Sequence, residues 1–283
     1  MKNKSVIGLI SYDANRFLAK SIERYYDYVD EIVLGIDKDR ITWSGNEFSI
    51  DEDALWSELS NIDGDSKISI IEEDFHQSKV AIENDNYERN FLKEQCSHDW
   101  IFSFDADEML VNAKDFFYEY CPLVERYYNK ADILMTWTTP YKTVEDEEGN
   151  SQTLIIANDD GSPFFGENQG VVTSKDSTFT YARWTDKSAE GPNRLMSPLV
   201  AVHWSLCRPE QELHEKINNI GHSDLVEQDP FYQIWSQVTH DNYHELENFK
   251  TSGLGQQQWP RLEAVPSLHV EDYIKQYING VYQ

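Results

Sequence analysis

Between Val6 and Phe104, short apolar runs alternate with helically spaced segments, and every run stops at acids. Val6–Ser11 leads to Asp13, Glu31–Ile36 to Asp37-Lys38-Asp39, Lys67–Ile71 to Glu72-Glu73-Asp74, and Trp100–Phe104 to Asp105, Asp107 and Glu108. After the first run, Phe17-Leu18, Ile22, Tyr25-Tyr26 and Val29 recur at three and four residues, the spacing of one helix face. A second helix is expected through Tyr87–Gln95. The rhythm predicts an α/β fold, a Rossmann-like, mostly parallel central sheet flanked by helices, with ligands held outside the carboxyl strand ends. One acid at one strand end is ordinary loop chemistry. Acids at four matching ends favour a shared site.

The fourth end is the richest. In an extended segment alternate side chains point the same way, so Asp105 and Asp107 can face one space. Two carboxylates there suit a hard divalent cation that is also bound by substrate phosphates. The alternative is a solvated strand end. Neither G-x-G-x-x-G nor G-x-x-x-x-G-K-[ST] follows the first strand, which removes the usual dinucleotide and P-loop readings. A nucleotide bound here would need a metal to neutralise its phosphates.

The second half has a different texture. Ile133–Thr138 reads as a strand, and Tyr141–Ile156 as a hairpin around Glu148-Gly149-Asn150. Thr178–Trp184 and Pro198–Trp204 read as further strands. Pro209 can open a helix that Gly221 stops. Two more helical patterns, Gln233–Phe249 and Val270–Val281, are joined by a Gly/Gln/Pro-rich connector. The expected division is a domain over 1–222, with a mixed β region in its later half, and a C-terminal helical extension over 223–283 packed on it.

Charge and composition exclude some partners. Asp plus Glu number 51 against 24 Lys plus Arg, a formal charge of −27. That argues against nucleic acid or an anionic membrane surface as a partner. No apolar run approaches the ~20 residues of a membrane span, so no transmembrane segment is expected. The basic and then apolar start, Met1-Lys2-Asn3-Lys4 into Val6–Ile10, lacks a small-residue cleavage site and reads as a first strand. Cys96, Cys121 and Cys207 are odd in number and widely spaced, giving neither a zinc motif nor a disulfide framework, so the cytoplasm is the expected compartment.

Tyr87-Glu88-Arg89-Asn90-Phe91-Leu92, followed by His98-Asp99-Trp100-Ile101-Phe102-Ser103-Phe104-Asp105-Ala106-Asp107-Glu108, resembles the central motif of GT-A glycosyltransferases of the family 2 type. In that family an Arg-Asn pair on a helix precedes a strand ending in the DxD metal motif. The resemblance covers roughly residues 5–110 and implies that 1–110 is the nucleotide-sugar half and 111–222 the acceptor half. It implies that Asp107, completed by a late histidine, His203, binds Mn2+ or Mg2+, and that Asp105 holds ribose or supports the metal shell. Asp13 and Asp37 would hold base and ribose, and Arg89 would meet phosphate. Arg208 and Lys216 flank the start and middle of the predicted helix, and as two of only 24 basic residues in so acidic a chain they are candidate phosphate clamps, with surface salt bridging as the alternative. For Arg89 the alternative is an exposed helix arginine paired with Glu88 or Asp85. The family places its general base well after DxD, which singles out Glu190, with Asp186 and Glu167 as further candidates.

Aromatics of the later half, Trp137, Tyr141, Phe164, Phe165, Trp184 and Trp204, are candidates for an acceptor platform or for core. Arg183-Trp184 resembles the end of the Q-x-x-R-W motif of processive synthases, but Thr180 stands where Gln would be. The turn after the second strand has Asp37-Lys38-Asp39 in place of the family's usual Asp-Asp-x-Ser.

The implied activity is metal-dependent transfer of one sugar, with inversion, from a nucleoside-diphosphate sugar such as a UDP-sugar to a hydroxyl of a glycan or glycolipid. A nucleotidyltransferase shares such a sheet but would carry a Gly-rich basic loop after the first strand, where Ser11-Tyr12-Asp13-Ala14-Asn15 stands. A non-catalytic carbohydrate-binding protein is a third reading. A zinc hydrolase is a fourth, since His240 and His244 have the spacing of H-E-x-x-H on a helix. Removing the Asp107 charge is expected to leave the fold intact by relieving repulsion.

Overall fold

The computed structural model describes residues 3–128, 131–186, 194–221, 228–249 and 258–281. The first half alternates as expected: β1 (Lys4–Ile10), α1 (Ala14–Glu23), β2 (Glu31–Asp37), α2 (Glu52–Ile62), β3 (Ile68–Glu73), α3 (Ala81–Gln95) and β4 (Trp100–Ser103). β3, β2, β1 and β4 lie side by side and parallel. β2 is buried along nearly its whole length, as a strand covered on both faces must be.

The later strands change direction. β5 (Glu108–Leu110) precedes a helical stretch, α4 (Ala113–Asp115), a π-helical turn over Phe116–Tyr120, and α5 (Cys121–Tyr127). β6 (Asp132–Thr138), β7 (Pro140–Glu145), β8 (Ser151–Ala157), β9 (Glu167–Ser174), β10 (Phe179–Tyr181), β11 (Trp184–Thr185) and β12 (Arg194–His203) follow. The main sheet has eight strands in the order β3-β2-β1-β4-β9-β6-β12-β5. β9 enters antiparallel between β4 and β6, and β5 is antiparallel to β12. The fold is the expected α/β one, and its central sheet is mixed, parallel through β3, β2, β1 and β4 with the antiparallel strands in its later half. The chain reaches β9 from β8 without a helix of the kind that connects β1, β2 and β3. The amino end of β9 consequently opens at the edge where β1, β2, β4 and β6 finish.

The tail is not purely helical. After α6 (Glu210–Asn219), which begins just past Pro209, it holds α7 (Gln228–Gln237), β13 (Arg261–Pro266) and α8 (Val270–Val281). The helical pattern expected to Phe249 stops at Gln237, and a single 3-10 turn, Tyr243–Glu245, follows. β13 joins β8 and β7 in a three-stranded sheet, and Val270, Ile274 and Ile278 of α8 enter the main core. That core packs Phe102, Phe104, Phe116 and Tyr25 on one side of the sheet, and Ile7, Val33, Leu92 and Ile101 pack on the other. Among the described residues, no helix is long and apolar enough to cross a membrane.

Candidate functional site

A cavity of about 500 Å3 opens along the carboxyl edge of the main sheet. Ser11, Tyr12 and Asp13 after β1, and Asp37, Ile41, Thr42 and Trp43 at and beyond the end of β2, wall one end of it; Trp137, Gln169 and His203, from β6, β9 and β12, wall the other. Asp105 and Asp107 lie between, where β4 stops.

Strand pairing assembles the acids with their partners. His203 stands opposite Glu108 across β12 and β5, and the Trp204 N–H donates to the Asp107 carbonyl at 2.9 Å. This register brings His203 Nε2 to 3.6 Å from Asp107 Oδ1. The His203 ring lies on Trp137, with centroids 3.9 Å apart. The other oxygen of Asp107 is held by Arg208 at 2.5 Å and by the Lys216 ammonium at 2.9 Å. Arg208, itself buried, reaches Asp13 Oδ2 at 2.8 Å with its second nitrogen. Burial pushes the Asp107 carboxyl up, but Lys216, His203 and Arg208 outweigh it and hold the group well below the usual range.

Asp105 and Glu108 use a second pair of cations. The Arg183 guanidinium grips Glu108 at 2.6 and 2.9 Å and lies 3.8 Å from Asp105. Glu108 also accepts the Asp105 N–H at 3.0 Å, closing the turn between β4 and β5. Arg89 donates to Asp105 at 3.0 Å, to Asp85 at 2.5 Å and to the Ser103 hydroxyl at 2.7 Å. Burial raises Asp105, and Arg89 and Arg183 overcome that to keep it below its ordinary value. Charges this deep persist only when paired, so the cluster is mutually dependent.

The inward face of α3 explains how Arg89 gets there. Asp85, Glu88, Arg89 and Leu92 recur at helical spacing and all are buried. Three of the four are charged, which is why hydrophobic periodicity recognised only the later part of this helix. Arg89 is therefore not an exposed surface arginine.

Asp13, Asp37, Arg89, Asp105, Asp107, His203 and Lys216 line the cavity, and Arg208 is buried behind it between Asp13 and Asp107. Asp37 is already committed: Oδ1 accepts the N–H groups of Asp39 and Ile41, and Oδ2 that of Phe75. Trp184 lies under the Arg194 guanidinium, 4.0 Å from its ring centre, and does not line the cavity. Asp186 is exposed and closes the β10–β11 hairpin by accepting the Thr178 N–H at 2.8 Å. Glu167 opens β9 opposite Trp137. Glu190 lies outside the described residues.

Of the aromatics, Trp137 lines the cavity, Tyr141 is fully buried in a separate core, and Phe164, Phe165 and Trp204 pack against the cores. Tyr181 and Trp259, which the sequence did not single out, also face the cavity. His240 sits in a turn and His244 in the 3-10 segment, so the shared helix face that the zinc-hydrolase reading needs is not formed.

Among the described residues no three His, Cys, Asp or Glu side chains form a ready-made metal cage. Asp107 Oδ1 and His203 Nε2, 3.6 Å apart, stand near the roughly 3 Å between adjacent ligands of an ion with ~2.1 Å bonds. Two such donors suit a hard cation only if its other ligands come from outside the protein.

Arg183 and Glu88 escaped the sequence reading. The resemblance of Arg183-Trp184 to a synthase motif was the available signal for Arg183, and the Arg-Asn motif contained Glu88 without marking it.

No protein-family model and no curated protein matches the sequence. Solved structures with a similar course of the chain include TarS from S. aureus, 10% identical with a TM-score of 0.41, covering 76% of this chain and 63% of that one. CMP:2-keto-3-deoxy-manno-octonic acid synthetase complexed with CTP is 11% identical with a TM-score of 0.37, covering 79% of this chain and 100% of its own. UDP-glucose pyrophosphorylase complexed with UDP-glucose is 12% identical with a TM-score of 0.33, covering 62% and 77%. The chain spans less than two thirds of the TarS structures' own length, 36% of the one in complex with UDP. At these identities and scores, no family is assigned.

Proposed function

We propose that this protein is a glycosyltransferase that moves a single sugar from a nucleoside-diphosphate sugar to a hydroxyl of a glycan or glycolipid. The observation that carries the reading is Asp107, fixed at the sheet edge by Arg208 and Lys216, with Oδ1 turned toward His203 and both residues lining the cavity.

The nucleoside occupies the end walled by the segments after β1 and β2. Its diphosphate lies over Asp105 and Asp107, where Lys216 can exchange part of its contact with Asp107 for a phosphate oxygen. Arg208 is tied to Asp13 as well and holds Asp107 in place. Mn2+ or Mg2+ held by Asp107 Oδ1 and His203 would supply Lewis-acid neutralisation of the departing diphosphate. The sugar then projects toward Trp137, Gln169 and Tyr181, where a ring face can stack and hydroxyls can bond.

A panel of UDP-, GDP- and CDP-sugars, mixed with oligosaccharide and glycolipid acceptors, tests the reading by product mass. Transfer from one donor to a hydroxyl is the expected result. Pyrophosphate released from a nucleoside triphosphate and a sugar phosphate, with no transfer from any nucleotide-sugar, would overturn it in favour of nucleotidyl transfer.

A further inference from the structure

Beside Trp137 and His203 the cavity runs on into an arm that the chemistry above leaves unassigned. Thr139, Leu206, Ile217, Phe231 and Trp259 line it. Only Thr139 among them is polar, and none is charged. The charged lining residues of the neighbouring centre, Asp105, Asp107, Arg183 and Lys216, are bound to one another or to their own partners.

Three stretches of chain lead into the arm from that centre. Thr139 stands two residues beyond Trp137, and after two more Tyr141 meets Phe231 and Trp259 edge-on, with ring centroids 6.5 and 6.1 Å apart. Leu206 comes shortly after His203, and Ile217 directly follows Lys216. An extended chain advances about 7 Å in two residues, so the arm reaches on the order of 10 Å past Trp137. Ile217 and Phe231 are buried with Tyr141 and Trp235 in the second apolar core, whereas Leu206 and Trp259 pack on that core and stay partly exposed. The cavity thus opens onto an apolar wall, and covering such a wall is favourable.

A second sugar is a poor occupant. It could stack on Trp259, but its rim hydroxyls would lose water against Leu206, Ile217 and Phe231, whose side chains offer no hydrogen bond. We propose that the arm holds an apolar aglycone, so that the acceptor is a glycolipid whose sugar lies near Trp137 and whose chain runs toward Phe231 and Trp259. The inference rests on the nucleotide-sugar reading of the cavity and narrows its acceptor class.

Calorimetric titration with methyl, butyl and hexyl β-glucosides and with methyl β-cellobioside, on protein saturated with UDP or GDP and Mn2+, tests this. A buried methylene is worth roughly fourfold in affinity, so hexyl glucoside should bind the wild type about tenfold or more tighter than methyl glucoside. Cellobioside should gain far less. Leu206→Gln should cut the hexyl gain by about fivefold, and Leu206→Met should keep it. Equal affinity for methyl and hexyl glucosides overturns the inference and leaves the nucleotide site standing. So does a larger gain from the second glucose than from the hexyl chain. An undiminished hexyl gain in Leu206→Gln also overturns it, since the chain then binds elsewhere. If the wild type binds neither nucleotide, the nucleotide-site reading falls and the inference falls with it.

Discussion

Arg183 and Glu108, 75 positions apart in the chain, meet through two parallel hydrogen bonds of 2.6 and 2.9 Å with both side chains buried. The pair closes the β10–β11 hairpin onto the β4–β5 turn that carries Asp105 and Asp107. A buried guanidinium without its carboxylate is expensive, while the intact pair is worth little more than an apolar replacement. Glu108→Ala should therefore cost about 3–5 kcal/mol in urea unfolding, and Glu108→Leu with Arg183→Met much less than either change alone. Additive losses in the double variant would show that the two side chains do not act as a unit.

Asp107→Ala should destabilise the protein, contrary to the expectation from sequence. Asp107 sits among Arg208, Lys216 and His203, so its removal uncovers cations instead of relieving repulsion between acids. A loss of about 3 kcal/mol is expected from breaking a buried pair, and Lys216→Met should cost less because Arg208 stays on the carboxylate. Chemical denaturation of both variants without nucleotide checks the order. An Asp107→Ala protein as stable as the wild type would contradict it.

Glu88 gives the stability a pH dependence of defined sign. Its carboxyl rises from an ordinary 4.5 to about 8 in the fold, so the protonated form is favoured there. The stability it contributes is complete below the unfolded value and is lost as pH rises through about 8. Glu88→Gln carries no such titration, so its melting temperature should gain on the wild type between pH ~5 and pH ~8.5. Paired melts across that range would show a widening gap. A constant or narrowing gap would contradict the buried neutral acid.

Gly170 is a point of close approach. A Cβ there would lie 2.5 Å from the Arg183 carbonyl, which is backbone and cannot turn aside. Gly170→Ala should lift the β10–β11 hairpin from β9 and cost about 1–3 kcal/mol, whereas Gly64→Ala, which meets nothing within 4 Å, should be near neutral. Equal melting temperatures for the two variants would show that the hairpin accommodates the methyl group.

The parallel half of the sheet was legible because β1, β2 and β4 are short apolar runs ended by acids, and helix spacing marked α1 between the first two. The antiparallel entry of β9 was not, since strand direction depends on which neighbour the chain returns to and leaves no local pattern. Among the site residues, Asp105 and Asp107 follow from alternation in one segment. The DxD resemblance pointed to His203, and scarcity of basic residues to Arg208 and Lys216. Asp186 and Trp184 were picked by position near a motif, and the hairpin turns both to other partners. Arg183 and Glu88 were missed for a common reason. Each is a charge on a buried face, where periodicity looks for apolar residues, and each finds its partner far along the chain.

The central claim is that the cavity over Asp107 holds a nucleoside diphosphate, and calorimetric titration of the folded protein with UDP and GDP, each with and without Mn2+, tests it most directly. Saturable binding of one of them, strengthened by the metal, is the predicted result. Absence of heat from both nucleotides in both conditions would contradict the account.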